Sequence, residues 1–548
     1  MATTNTQNAA NTYLYEHPTL GPMTGVICPE TPDVVRFRAI PYAELNRRFG
    51  HSRLRESGLD ETSRDFTKQG FACPHTFGME GIHSGGPYPG QEPILQSEFE
   101  SLILDVNVPR SQLESLQRGA LKQIPVMTYV HGGAFVLGKI DAEHNTALMV
   151  QHSLTISKPV IATAIQYRLG ALGAMAMPDG NKNLALWDQR NALLWIQKYI
   201  DGFGGDKRRN TLFGESAGGF SICCHMLSHC PSSGPLFNRV IIMSGIIGPM
   251  FAPIPEEEAA KAFDNICEEL GIRERGLSAL SPLTHLDVTS IVSASDRWFS
   301  KGNFWRPVDD PAFFREKVTW DNVSELLGSC EWVEDMIVGN TSFEGLANGD
   351  VANALTPISF NYVLKQSLSD EAAQKVMKAY NVRLDMDQNL FLTSAMRSLG
   401  DIVFDAPIHA FAKHIATKTK KNIYRYIFDI RNPFPNAPFY QQPHHWVDVY
   451  FIFRTMQFRY PYQYLKDISD KHAALWIDFA SGGKPWKQFD DEGVIIVADE
   501  REGWVEKSLS QYEKMSGVAF GRLDELWDAW KEKQGEAWSP VNLAALKK

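Results

Sequence analysis

Short apolar runs recur along the chain at wide spacing: "PVMTYVHG" from Pro125, "PVIATAIQYR" from Pro159, "RVIIMSG" from Arg239, "MIVGN" from Met336, "NIYRYIF" from Asn422 and "GVIIVAD" from Gly493. Each is nearly continuous, not alternating, and is bounded by Gly, Pro or polar residues. A strand reads this way when helices cover both of its faces. Between several of these runs lie segments of helical period. In "LALWDQRNALLWIQKYI" from Leu184 the apolar positions include Leu186, Trp187, Ala192, Leu193 and Ile196. Strand then helix, repeated, predicts an α/β fold on a large, mostly parallel sheet flanked by helices. The stretches 253–314 and 359–398 read as mostly helical or irregular insertions. Neither is flanked by a Gly/Ser/Pro linker, so residues 1–548 are expected to form a single large domain with excursions.

Composition narrows the class. Hydrophobic residues make up 44% and charged residues 22%, which is the range of soluble globular proteins. The formal net charge is -10 and the longest basic run is "KTKKN" around Lys418–Lys421. Phosphate binding needs clustered Lys and Arg, so no nucleic-acid partner is expected. The start "MATTNTQNAANTY" has neither the basic patch nor the apolar core of a secretory signal. No run approaches the roughly 18 apolar residues of a membrane span. Seven cysteines, an odd number, do not form a disulfide framework by count alone. A reducing compartment, and hence the cytoplasm, is expected.

One stretch carries candidate chemistry. "NTLFGESAGGFS", Asn210–Ser221, sets Ser216 between two glycines where Thr211–Phe213 can end a strand and Ser216–Leu227 can form a helix. A serine at so sharp a turn has its hydroxyl pushed above the sheet edge, with the following N–H groups at a helix N-terminus. A structural turn needs the glycines but not the serine. A nucleophilic serine also needs donors for the oxyanion, and "YVHGGAF", Tyr129–Phe135, offers a strand end followed by two glycines.

With these landmarks the chain resembles the type-B carboxylesterases, the cholinesterase-like branch of the α/β-hydrolases. "FRAIPYAE" from Phe37, "PVMTYVHGGAF", "YRLGALG" from Tyr167, "LALWDQRNALLWIQ", "FGGD" from Phe203, "TLFGESAGG" and "VIIMSG" match that family in order and spacing over nearly the whole chain. The resemblance implies an ester hydrolase working through an acyl-enzyme, with no cofactor or metal and a small-molecule ester as partner. It implies an oxyanion hole of the N–H groups of Gly133, Ala134 and Ala217. The order in such folds is serine, acid, histidine. Among fifteen histidines, His445 in "HWVDVYFIF" fits the family pattern of an acidic residue three positions on and a short aromatic run. His444 does not. Glu344 in "MIVGNTSFEG" matches the family's strand, turn, acid and glycine. Glu215, Ser244 and Asp448 stand where the family keeps polar support. Phe135, Phe304 and Trp305 are the apolar candidates for lining the pocket.

The chain also departs from the family. Extracellular members close a loop by a disulfide from a cysteine like Cys73, but the partner position falls on or near Ser101. Closing a loop of some thirty residues contributes on the order of 3 to 4 kcal/mol, so its absence implies a more mobile loop and agrees with an intracellular location. That loop has no tryptophan, and "LAN", Leu346–Asn348, stands where cholinesterases carry an aromatic pair. Without these cation–π surfaces the expected substrate is a small or medium apolar ester lacking a choline head, in a wider pocket. His225 and His229 sit at i and i+4, but the H-E-x-x-H pattern of a zinc protease is missing. Two other readings keep the same fold: an acyl transferase or cyclase giving the acyl group to another acceptor, and a non-catalytic neuroligin-like scaffold.

Overall fold

The computed structural model describes residues 11–56, 64–76, 83–120, 122–248, 251–490 and 492–534. Fourteen strands are found among them. They are β1 (Asn11–His17), β2 (Gly21–Ile27), β3 (Val34–Pro41), β4 (Ala43–Glu44), β5 (Arg53–Leu54), β6 (Ile103–Pro109), β7 (Ile124–Val130), β8 (Ile161–Ile165), β9 (Gly205–Glu215), β10 (Arg239–Met243), β11 (Asp335–Thr341), β12 (Asn422–Phe428), β13 (Val494–Asp499) and β14 (Gly503–Ser508). Strands β4 and β5 pair with each other, and the other twelve form one sheet in the order β1-β2-β3-β6-β8-β7-β9-β10-β11-β12-β13-β14. From β8 to β13 every neighbouring pair is parallel. The edges at β1–β3 and β14 are antiparallel. The architecture is α/β, and each apolar run quoted above lies in one of the parallel strands.

Those strands are apolar throughout because both sheet faces are covered. Val126, Leu212, Val240, Ile242 and Val338 join one core with Leu186, Leu193 and Phe220 of helices Leu184–Tyr199 and Ala217–Leu227. Their neighbours Met127, Phe213, Ile241, Met243 and Ile337 face the other way, onto Met149 and onto Leu465, Ile468 and Trp476 of helix Gln463–Ala480. Alternation along each strand thus feeds two cores. The insertions carry helices Glu256–Glu269 and Val288–Ser300 in one case, and Pro357–Ser367, Asp370–Ala379 and Gln388–Gly400 in the other. No helix among the described residues is long and apolar enough to cross a membrane.

A buried ion pair ties the loop after β8 to the helical layer. Arg168 donates through Nε and Nη2 to the two oxygens of Asp188 at 2.7 and 2.8 Å, and through Nη1 to the Gly50 carbonyl at 2.8 Å. Ser52 Oγ donates to the same carboxylate at 2.6 Å. Removing one partner leaves the other as an unpaired buried charge. Asp188→Ala is therefore expected to lower stability by about 3–5 kcal/mol, read as a reduced urea midpoint. Arg168→Met/Asp188→Leu together should lose much less.

Candidate active site

Four adjacent parallel strands end at the same edge, and each delivers one polar side chain. Ser216 follows β9, Ser244 follows β10, Glu344 follows β11 in the turn Glu344–Asn348, and His445 lies beyond β12. Ligands in open α/β sheets bind outside these carboxyl ends.

The turn at Ser216 is strained, with φ 55 and ψ -120, a conformation costly for any residue but glycine. It is enforced from below. A Cβ at Gly218 would stand 2.1 Å from the Val130 carbonyl oxygen, so only glycine lets the new helix leave so close to β7. The Ser216 N–H donates to the Met243 carbonyl at 2.9 Å, which pins the turn to the end of β10.

The acid and the histidine are held as a unit. His445 Nδ1 lies 2.5 Å from Glu344 Oε2. The other oxygen, Oε1, accepts from Ser244 Oγ and from the Thr341 N–H, each at 2.6 Å. Just before these residues the backbone pairs in a parallel bridge between Phe343 and His444, with the Phe343 N–H donating to the Pro443 carbonyl at 3.1 Å. Arg397 braces the same turn, bonding the Ser342 carbonyl at 2.6 Å and lying 4.0 Å over the Phe343 ring. Phe404 stacks on the imidazole at 4.3 Å. His444, one position away, points elsewhere: its Nε2 is 3.2 Å from Asn432 Nδ2.

Three carboxyls share this region and titrate apart. Burial pushes Glu344 up, but the imidazole of His445 and the Ser244 and Thr341 hydrogen bonds outweigh it, leaving the carboxyl below its ordinary value. Glu215 is raised well above its own by burial and by the negative groups Asp448 and Glu344. Asp448 is pushed up to about 7, chiefly by burial and then by Glu344; its Oδ2 accepts from Tyr426 at 2.9 Å. Glu344 is therefore the most readily ionised of the three, and it is the one that holds the imidazole.

The free imidazole nitrogen, Nε2, lies 3.1 Å from Glu215 Oε1. The contact is close but misdirected, since both Glu215 oxygens are buried without a hydrogen-bond partner. No hydrogen bond from the Ser216 hydroxyl is present among the described residues. Glu215 immediately precedes Ser216, so the imidazole stands beside the serine turn. Such bonds are commonly long before substrate binds.

Across the turn, Gly133, Ala134 and Phe135 take positive φ in succession, at 102, 52 and 61. The chain curls so that the N–H groups of Gly133 and Ala134 have no acceptor among the described residues. Ala217 N–H, at the first position of its helix, is equally free. Consecutive unpaired N–H groups form a nest for negative charge. Tyr167 anchors this loop by donating to the His131 carbonyl at 2.7 Å.

The lining candidates divide. Phe135 and Phe304 each lie about 6 Å from Phe251. Trp305 corrects the expectation: it is 2% exposed, lies tilted against Trp298 with ring centroids 4.4 Å apart and donates its indole N–H to Ser295 Oγ at 3.0 Å, so it packs as core and offers no surface to a ligand. The loop expected to be mobile is strapped in its described part, with Arg459 donating to the carbonyls of Ser84 and Gly86 and Ser84 donating to Glu143; residues 77–82 of it lie outside the described residues. All seven cysteines are unpaired. His225 bonds Gln189 and His229 bonds the Pro311 carbonyl, so the two rings are engaged separately. Phe404 and Trp446, which the sequence reading did not single out, bring aromatic rings to this edge, the first against the imidazole and the second against the glycine loop. The only signal for them was position: Trp446 follows His445, and Phe404 lies in the π-helical turn Asp401–Asp405, a distortion frequent at functional sites.

The chain matches the carboxylesterase family over residues 16–516. It belongs to that family. It is similar to esterase cest-33 of Caenorhabditis elegans, 31% identical over 389 residues that cover 68% of this chain and 66% of that one. It is 29% identical to the para-nitrobenzyl esterase of Bacillus subtilis, over 68% and 74% of the two chains. A solved structure of a PNB esterase superposes with a TM-score of 0.71 at 24% identity, over 92% of this chain and 99% of that one. This carboxylesterase-family chain therefore has the α/β-hydrolase fold and is an ester-hydrolysing enzyme. Neither the acyl-transferase nor the scaffold alternative is favoured by these relatives.

The raised value at Asp448 makes a test of this site's electrostatics. A carboxyl whose folded value lies above its unfolded one stabilises below the unfolded value, and that contribution is lost as pH rises through the folded one. The window runs from about pH 4 to about 7. At about 1.4 kcal/mol per pH unit the loss is on the order of 4 kcal/mol. Asp448→Asn, which stays neutral, should gain on the wild type in thermal stability across that window; parallel curves for the two proteins would contradict it.

Proposed function

We propose that this carboxylesterase-family enzyme cleaves small or medium apolar esters through an acyl-enzyme on Ser216. His445 Nε2 takes the Ser216 proton as Oγ attacks the ester carbonyl carbon. The tetrahedral oxyanion is received by the N–H groups of Gly133, Ala134 and Ala217. Collapse breaks the bond to the alcohol, which leaves with the proton from His445, and water repeats the sequence to release the acid. Glu344 fixes the imidazole tautomer and stabilises the imidazolium, with Ser244 holding its second oxygen. Burial raises Glu215 and Asp448, which disfavours competing negative charge beside the imidazole. Protein groups fill every role, so no cofactor is required.

The observation that carries this reading is the Glu344–His445 hydrogen bond at 2.5 Å directly beside the strained turn of Ser216. A small rotation of the imidazole from Glu215 toward the serine hydroxyl completes the relay. Phe135 and Phe304 are proposed as pocket walls. We read the chain as one domain, supported by the single twelve-stranded sheet, and as cytoplasmic, supported by its seven unpaired cysteines.

A fluorophosphonate probe should label the wild-type protein on one serine, and Ser216→Ala should abolish both labelling and hydrolysis of a nitrophenyl ester, by about 10⁴-fold or more. Glu344→Gln, which presents the wrong partner to the imidazole, should lower kcat about 10⁴-fold with KM little changed. Labelling that persists in Ser216→Ala would refute the assignment.

A further inference from the structure

Trp446 adopts φ 82. For a bulky residue this left-handed backbone costs of the order of 1–3 kcal/mol, where glycine would sit freely. Its ring closes over the glycine loop. A Cβ on Gly132 would come within 2.8 Å of the indole, which also meets His144 edge-on at 5.7 Å. Between them lies a cavity of about 220 Å³ bounded by Gly132, Gly133, Leu137, Trp446 and Tyr450. Charges on its far side are matched within the wall: Asp141 takes His144 Nδ1 at 2.8 Å and Lys139 Nζ at 3.4 Å. The indole N–H has no acceptor among the described residues.

We infer that Trp446 is the residue that sets specificity for the alcohol half of the ester, restricting it to one uncharged ring. This rests on the reading of Ser216 and His445 above. The imidazole returns its proton to the departing oxygen, so the alcohol half must lie on the His445 side; the next residue along is Trp446, which walls the cavity together with Gly132 and Gly133 of the loop that faces the serine turn. Size sets the limit. An apolar cavity of about 150 Å³ takes up benzene, so 220 Å³ receives a benzyl-sized group with a small substituent, and a second fused ring overfills it. Asp141 is paired with His144 and Lys139, and the remaining wall carboxyl, Glu143, accepts from Ser84 Oγ at 2.9 Å and is raised above its ordinary value chiefly by burial, so the wall favours an uncharged head. The backbone strain is maintained because a glycine here would leave the glycine loop uncovered and the cavity open.

The test compares kcat/KM for benzyl acetate and 2-naphthylmethyl acetate. The wild type should prefer the benzyl ester. Trp446→Gly should shift the ratio toward the naphthylmethyl ester by roughly 10-fold or more, within the range by which pocket contacts discriminate. Trp446→Phe should shift it less, and Leu137→Ala, which widens the same cavity from the opposite wall, should shift it in the same direction. Trp446→Gly should also melt above Trp446→Ala, because alanine retains the left-handed strain. A ratio unchanged in Trp446→Gly, Trp446→Phe and Leu137→Ala overturns the inference, as does Trp446→Ala melting above Trp446→Gly. Neither result touches the nucleophile, which is decided separately by covalent labelling of the wild type; absent labelling there would instead strike the reading on which this inference rests.

Discussion

The site depends on the parallel alignment of β7 and β9 to β12. Parallel neighbours place all their carboxyl ends at one edge, so residues 216, 244, 344 and 445 need no long reach to meet. The hydrogen-bond ladder sets their spacing, and the Phe343–His444 bridge carries that ladder past the sheet into the two loops that matter most. Rigid positioning of this kind is what lets a proton relay work without reorganising at the moment of reaction.

Strain and polar burial gather at that edge. Ala134, Phe135, Ser216, Ser244 and Trp446 all have positive φ without being glycine, and Glu215 is buried with both oxygens unpaired. Each feature costs free energy, and the surrounding pair of apolar cores supplies the stability that tolerates it. The carboxyls show the same logic in charge. Three acids within one region would repel if all ionised; burial raises Glu215 and Asp448 above their ordinary values, while its hydrogen bonds and the imidazole favour the negative charge on Glu344.

The sequence made the parallel strands legible because strands covered on both faces are apolar throughout, and Ser216, Glu344 and His445 legible because strand-end motifs are local. It was less informative where a residue's role is set by a partner distant in the chain. Trp305 looked like a lining residue because its segment matches one that borders the pocket in relatives, yet Ser295 and Trp298 draw it into the core. Phe404 was invisible because nothing local marks a ring for stacking on an imidazole about forty positions later. The antiparallel edge strands β1–β3, half-buried and more polar, lacked the continuous apolar signal altogether.

The π-helical turn Asp401–Asp405 joins helices Gln388–Gly400 and Ala406–Lys418 without a break. A wider turn accommodates one residue more than an α-helical one would over the same rise. Loss of a single residue there would restore regular winding with the flanking helices still in phase, and would redraw the local turn that carries Phe404 onto the imidazole. Insertion and deletion, not only substitution, are therefore routes by which descendants of this chain can retune the base.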